Sequence, residues 1–147
     1  MRSFLDKIEA LKIGWNNIPL TEELFYKLCR KFKIKVTIMP LTVNGFYTCD
    51  KKKHYIAINE KLSEFQRLFT MWHEFGHFLM HSPSTDPTSN YCGSKENRRY
   101  EKEADAFAYC SVLPLDMMLN RPDEEVAEIY GLSFFLERLS VYDRYAQ

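Results

Sequence analysis

Three of the four histidines in this sequence, His73, His77 and His81, fall within nine residues of one another. The first two open and close a five-residue segment with the pattern HExxH. On a helix, residues four apart share one face, so both imidazoles can bind the same metal ion. Glu74 lies about 100° around such a helix, where it can take a proton from a water molecule without being a ligand. The segment therefore predicts a catalytic metal centre with Glu74 as its base.

A centre of this kind needs a third protein ligand and one open coordination position. Glu101 and Asp105 lie downstream, four residues apart, and therefore on one face of a second predicted helix. We expect Glu101 to be the third ligand and Asp105 to accept a hydrogen bond from the far ring nitrogen of a ligand histidine. Glu103 is expected to be a solvated charge, and an exchange of roles between Glu103 and Glu101 is an alternative. His81 is the other alternative, although each step of four turns the side chain by about 40° away from the ion.

Eight other helices and strands of ordinary length are predicted to surround the helix with the HExxH pattern and to position it. Helices are expected over residues 3–11, 21–32, 63–81, 95–112, 124–130 and 134–145, and strands over 34–38, 45–49 and 55–58. The fold class is α+β: a small three-stranded sheet, antiparallel or mixed, packs on the HExxH helix and on a second, glutamate-bearing helix. A short helical segment closes the chain.

Two further features bear on how the site is built. Gly76 in the middle of a helix predicts a close approach by a neighbouring element. The polar stretch 82–94 predicts a loop that could act as a flap.

The composition is that of one soluble domain. The chain has 147 residues, 46% of them hydrophobic and 15% aromatic, and we expect a catalytic core over about 1–115 followed by a C-terminal helical segment over about 116–147. Twenty basic and twenty acidic residues cancel, which argues against nucleic acid or a membrane surface as a partner. Four dispersed cysteines and a charged N-terminus favour a reducing cytoplasm.

The order and spacing of these segments resemble the ImmA/IrrE-type metallopeptidases, a gluzincin-like family of HExxH proteins often encoded beside transcriptional repressors. Besides HExxH, the parts that carry the resemblance are YIAIN at 55–59, RLFT at 67–70, EKEADAFA at 101–108, LP at 113–114 and IYGLS at 129–133, followed by Arg138 and Leu139. The resemblance implies that zinc is held by His73, His77 and Glu101, and that Glu74 is catalytic. It also implies a protein substrate, typically a helix-turn-helix repressor. Trp72 departs from the small residue common before the HE pair, and it either narrows the cleft or fills the core.

The sequence favours an endopeptidase, but a metal-containing regulator that sequesters a repressor without cutting it would carry the same ligands. A nucleic-acid module built on five basic residues is a weaker alternative, because these charges are expected to be a solvated surface: Lys27, Arg30, Lys31, Lys33 and Lys35. Three tyrosines are candidates for stabilising an oxyanion: Tyr47, Tyr100 and Tyr109. The strand at 55–58 is predicted to be the sheet edge that receives an extended peptide.

Overall fold

The structure is a computed structural model that describes the backbone of residues 2–81 and 95–145 and the side chains within 4–80 and 98–141. The predicted flap at 82–94 and the side chain of His81 lie outside the described residues. The described part of the chain contains seven helices and three strands. They are α1 (Arg2–Ala10), α2 (Glu22–Lys31), β1 (Ile34–Met39), β2 (Gly45–Asp50), β3 (Lys53–Asn59), α3 (Glu64–His81), α4 (Lys95–Val112), α5 (Leu115–Asn120), α6 (Asp123–Tyr130) and α7 (Leu132–Tyr145). The α+β class is confirmed.

The sheet is mixed, with the strands in the order β1-β3-β2. β1 runs parallel to β3 and places Val36 opposite Ile56, whereas β2 runs antiparallel and places Tyr47 opposite Ile56. The prediction that residues 55–58 form an edge is therefore wrong, since β3 is the central strand. The physical reason is visible in Ile56, Ala57 and Ile58, three successive buried residues, because only a strand covered on both faces buries consecutive side chains.

The helix that carries the HExxH segment begins with the predicted capping box. The Gln66 backbone N–H donates to Ser63 Oγ at 3.2 Å, and the Ser63 N–H donates to Gln66 Oε1 at 3.4 Å. Further along α3, Trp72 and Phe75 are fully buried. Trp72 packs edge-on against Phe25 and Phe75, so it fills the core.

The C-terminal helices pack against the end of α4. Short helix α5 was not predicted, because six residues after Pro114 give too little periodicity to recognise. Arg138 on α7 is completely buried; its Nε donates to Leu113 O and one terminal nitrogen donates to Asn16 Oδ1 at 3.1 Å. Asn16 Oδ1 also accepts from the Leu115 N–H at 2.8 Å, so one side chain before α2 and one on α7 hold the α4–α5 junction.

Candidate metal centre

Helices α3 and α4 lie close enough for their side chains to share one site, and Gly76 is the reason. A Cβ atom added at Gly76 would lie 3.0 Å from Phe107 Cδ2 and 3.5 Å from Ala104 Cα. Phe107 and Ala104 are fully buried, so neither can move aside easily. The absence of a side chain at Gly76 therefore permits the contact predicted from its position in mid-helix.

One carboxylate on α4 faces both histidines of the HExxH segment. Glu101 Oε1 lies 3.2 Å from His73 Nε2, and Glu101 Oε2 lies 2.5 Å from His77 Nε2. The ring centroids of His73 and His77 are 4.9 Å apart. The three side chains proposed from sequence as ligands are thus brought together, although Glu101 lies 24 residues beyond His77 along the chain.

Glu74 lies next to this cluster of two histidines and one carboxylate. Its carboxylate is 5% exposed, and Glu74 Oε2 lies 4.0 Å from His73 Nε2. One donor atom each from His73, Glu74 and His77 can be chosen so that all three lie within 4.8 Å of one another. Two arrangements around a cation are therefore compatible with the geometry. We favour Glu101 as the third ligand because its two oxygens contact both Nε2 atoms, which leaves Glu74 available as a base.

Asp105 approaches His73 from the other side of the ring. Its Oδ1 lies 2.8 Å from His73 Nδ1, which is the distance of a charge-assisted hydrogen bond. The N–H direction is not aligned with that oxygen, so a small rotation of either group is needed to complete the bond. The role expected for Asp105, in which a carboxylate holds the proton on Nδ1 and directs Nε2 toward an ion, stays a prediction with which this distance is compatible.

The charges of the cluster shift its pKa values strongly. Burial alone lowers the pKa of His73, but the contacts with Asp105 and Glu101 and the charge of Glu74 outweigh it and raise that pKa to about 10. Contacts with His73 and His77 hold the pKa of the Glu101 carboxyl well below its usual range. Burial raises the pKa of Glu74, and the two histidines offset part of this rise.

The donor set fits a divalent cation. Two imidazole Nε2 atoms converge on the same carboxylate, and three carboxylates surround His73, so positive charge is favoured at this point of the molecule. Nitrogen donors from histidine with one carboxylate oxygen are the ligands that zinc accepts in catalytic sites. The chain therefore carries a group of side chains that could bind a metal ion.

The other candidates from the sequence differ in their distance from this site. Glu103 Oε1 accepts a hydrogen bond from Arg99 Nε at 3.2 Å, and Glu103 contacts neither histidine in the described contacts. Tyr47 is 1% exposed and its hydroxyl contacts His54 Nδ1 at 2.7 Å, so it belongs to the core. Tyr109 lies one helical turn beyond Asp105 with its ring 4.8 Å from that of Phe69, which makes it the tyrosine best placed near the site.

An aromatic cavity adjoins the metal centre and was not predicted. Four rings line this cavity of about 200 Å³: Phe65, Phe69, Tyr109 and Phe134. Asn44, Gln66 and Thr70 complete its lining. Phe69 and Thr70 lie four residues before His73 and Glu74, and this helical spacing could have identified them. No sequence signal points to Phe134, because α7 reaches the cavity only through the tertiary fold.

None of the helices within the described residues is long and apolar enough to span a membrane.

Comparison with known proteins agrees with the resemblance noted from the motifs. The sequence profile of the peptidase family M78, described as "IrrE N-terminal-like domain", matches residues 29–139. The chain is also 30% identical, over 112 residues, to "Uncharacterized immunity region protein 2" of Bacillus phage phi105. That match covers 74% of this chain and 66% of the phage protein, slightly less than two thirds of its length. The profile spans well over half of the chain, including all four residues of the candidate centre and Asp105, so this protein belongs to the M78 family of IrrE N-terminal-like, metallopeptidase-like domains.

Proposed function

We propose that this protein is a zinc-dependent endopeptidase that hydrolyses a peptide bond in a protein substrate. The observation that carries the proposal is the Glu101 carboxylate, which faces His73 Nε2 and His77 Nε2 with Glu74 beside it. Two imidazoles, one carboxylate and a neighbouring acid form the donor set and base of a hydrolytic zinc site.

The residues of the site divide the work of hydrolysis between them. His73, His77 and Glu101 would hold the ion, which would lower the pKa of a water molecule and polarise the substrate carbonyl. Glu74 would take the proton from water and pass it to the leaving amine. Burial raises the pKa of Glu74, and a rise is the direction that favours a group that acts first as a base and then as an acid.

The peptide would bind along β2. β3 is covered on both sides, whereas β2 pairs with β3 alone within the described residues and so offers backbone groups for an added strand. β2 also lies against α3: a Cβ atom at Gly45 would come within 2.8 Å of Thr70 Cγ2, and Thr70 is one turn before Glu74. An extended peptide on this edge would run past the metal centre.

For the substrate we propose a helix-turn-helix transcriptional repressor of a mobile element or stress response, cut in the cytoplasm. Two observations support this class. The family resemblance implies such substrates, and the phage phi105 relative is called an immunity region protein.

The buried cysteines are compatible with the proposed cytoplasmic location. Burial raises the pKa of the Cys29 thiol to about 12 and that of the Cys110 thiol to about 11, as suits unreactive reduced thiols in a reducing compartment.

The substitution Glu74→Gln tests the proposal. Wild-type and variant protein are loaded with zinc and incubated with the repressor encoded beside the gene, and cleavage is followed by mass spectrometry. We expect the variant to keep zinc but to cut at least about a hundredfold more slowly, since a positioned acid–base group contributes about 10²–10⁴ in rate. A variant that still relieves repression in cells without cutting would instead show that the protein sequesters its partner.

A further inference from the structure

We propose that the aromatic cavity beside the metal centre is the site that binds one large apolar side chain of the substrate next to the bond that is cut. This inference deepens the proposed function and rests on it, because it names the chemistry that selects the cleavage point. The cavity would accept phenylalanine, leucine or methionine and reject charged residues.

The cavity lies close to the candidate metal site. Phe69 precedes His73 by four residues on α3, which places it about 6 Å along the helix on the same face. The ring centroids of Phe69 and His73 are 6.3 Å apart. On α4, Tyr109 follows Asp105 by the same interval, and its ring meets that of Phe69. The cavity therefore lies one helical turn from the candidate metal site on both α3 and α4.

The size and the lining of the cavity suit a large apolar side chain. A cavity of about 150 Å³ lined by apolar side chains is large enough to take up benzene, and this one measures about 200 Å³. Phe134 closes it from α7 and packs edge-on against Phe65 at 4.8 Å and Phe69 at 5.9 Å. None of the described lining residues carries a formal charge. A charged side chain would lose its hydration there without gaining a partner.

A substrate would reach the cavity from the edge of β2. Asn44, immediately before β2, is one of the residues that line the cavity. Side chains of an extended peptide alternate between two faces, so a peptide on the free edge of β2 can direct one side chain into the cavity while its backbone passes the metal centre. The cavity has the edge of β2 on one side and the candidate metal site nearby. An apolar side chain of a bound peptide is the occupant that fits both neighbours.

The substitution Asn44→Trp tests the inference by filling the cavity from an exposed loop position, and Thr42→Trp, in the same exposed loop, is the matched control. Zinc-loaded wild-type protein is incubated with a peptide library made from digested cell extract, and the cut sites are sequenced by mass spectrometry. We expect large apolar residues to be enriched at one fixed position beside the cut. Asn44→Trp should lower kcat/KM for such peptides about tenfold or more relative to peptides with alanine there, while Thr42→Trp should not.

A binding measurement without metal separates this inference from the proposed function. Metal-free, isotope-labelled protein is titrated with N-acetyl-phenylalanine amide and with N-acetyl-aspartic acid amide, and backbone amide shifts are recorded. We expect the phenylalanine probe alone to shift Phe69 and Thr70, and Asn44→Trp to abolish those shifts.

The two experiments fail in distinguishable ways. Cleavage without an apolar preference, together with no shifts at Phe69 and Thr70, would overturn the inference and leave the endopeptidase proposal intact. Shifts that depend on the open cavity, without cleavage of any peptide or repressor, would support the side-chain site and overturn the proposed peptidase activity.

Discussion

His73 is the residue on which the site converges, since three carboxylates surround its ring. Asp105 contacts Nδ1, Glu101 contacts Nε2, and Glu74 lies 4.0 Å from Nε2. A carboxylate at Nδ1 holds the proton on that atom and leaves the Nε2 lone pair for a metal ion. In the proposed site, Asp105 would therefore act on the metal through His73 without touching the ion.

We predict that Asp105→Asn weakens zinc binding about 10- to 100-fold, as loss of a carboxylate that orients a ligand histidine commonly does. The amide can still contact Nδ1, but without the negative charge that favours the required tautomer. Competition with a fluorescent chelator measures the affinity. Asp6→Asn on the exposed surface of α1 is the control, and an affinity equal to that of the control would show that Asp105 has no role.

At the scale of elements, the contact between α3 and α4 decides whether the site forms. Phe107 lies against Gly76 within a set of buried rings, among them Trp72 at 6.2 Å and Phe75 at 6.5 Å between centroids. These rings fix the distance between the two helices. A larger residue at Gly76 would push apart the helices that carry His73 and Glu101.

We predict that Gly76→Val lowers the free energy of unfolding by about 1–3 kcal/mol, the usual cost of overpacking a core, and weakens zinc binding as well. Gly76→Ala should fall between wild type and valine, because its single methyl group meets Phe107 while alanine favours a helix by about 1 kcal/mol over glycine. Urea unfolding of the metal-free proteins measures the effect. Equal stability for valine and wild type would contradict the packing described here.

The sequence predicts elements well where the signal is local. The capping box at Ser63 and the spacing of His73 and His77 are short-range features. The structure has both as predicted, the first at the N-terminus of α3 and the second within α3. The place of β3 in the sheet was predicted incorrectly, although the consecutive apolar residues 56–58 indicate a central strand. Phe134 could not be found at all, because its contact with Phe65 depends on how α7 returns across the molecule.

At the scale of the whole molecule, His54 on β3 contacts both the neighbouring strand β2 and helix α3. Tyr47 contacts His54 Nδ1 from β2 at 2.7 Å, and Phe78 of α3 meets the His54 ring edge-on at 5.0 Å. Burial lowers the pKa of His54 below 6.5. As the pH falls below 6.5, His54 is therefore protonated in a smaller fraction of folded molecules than of unfolded molecules.

We predict that the contribution of His54 to stability is fully present above pH 6.5 and declines as the pH falls through the lowered pKa. His54→Gln removes the titration while leaving an oxygen that can accept from Tyr47. Urea unfolding of both proteins over this pH range should give curves whose separation changes below pH 6.5, with wild type losing the advantage. Parallel curves would mean that His54 does not titrate differently in the two states.

The central feature of the proposed site is that two imidazoles and one distant carboxylate hold a single ion. The direct measurement is the zinc content per chain of freshly purified wild type, Glu101→Ala and Glu103→Ala, determined by inductively coupled plasma mass spectrometry. We predict about one zinc ion per chain in wild type and in Glu103→Ala, and a large loss of zinc in Glu101→Ala. Full zinc in Glu101→Ala, or its loss only in Glu103→Ala, would contradict the account.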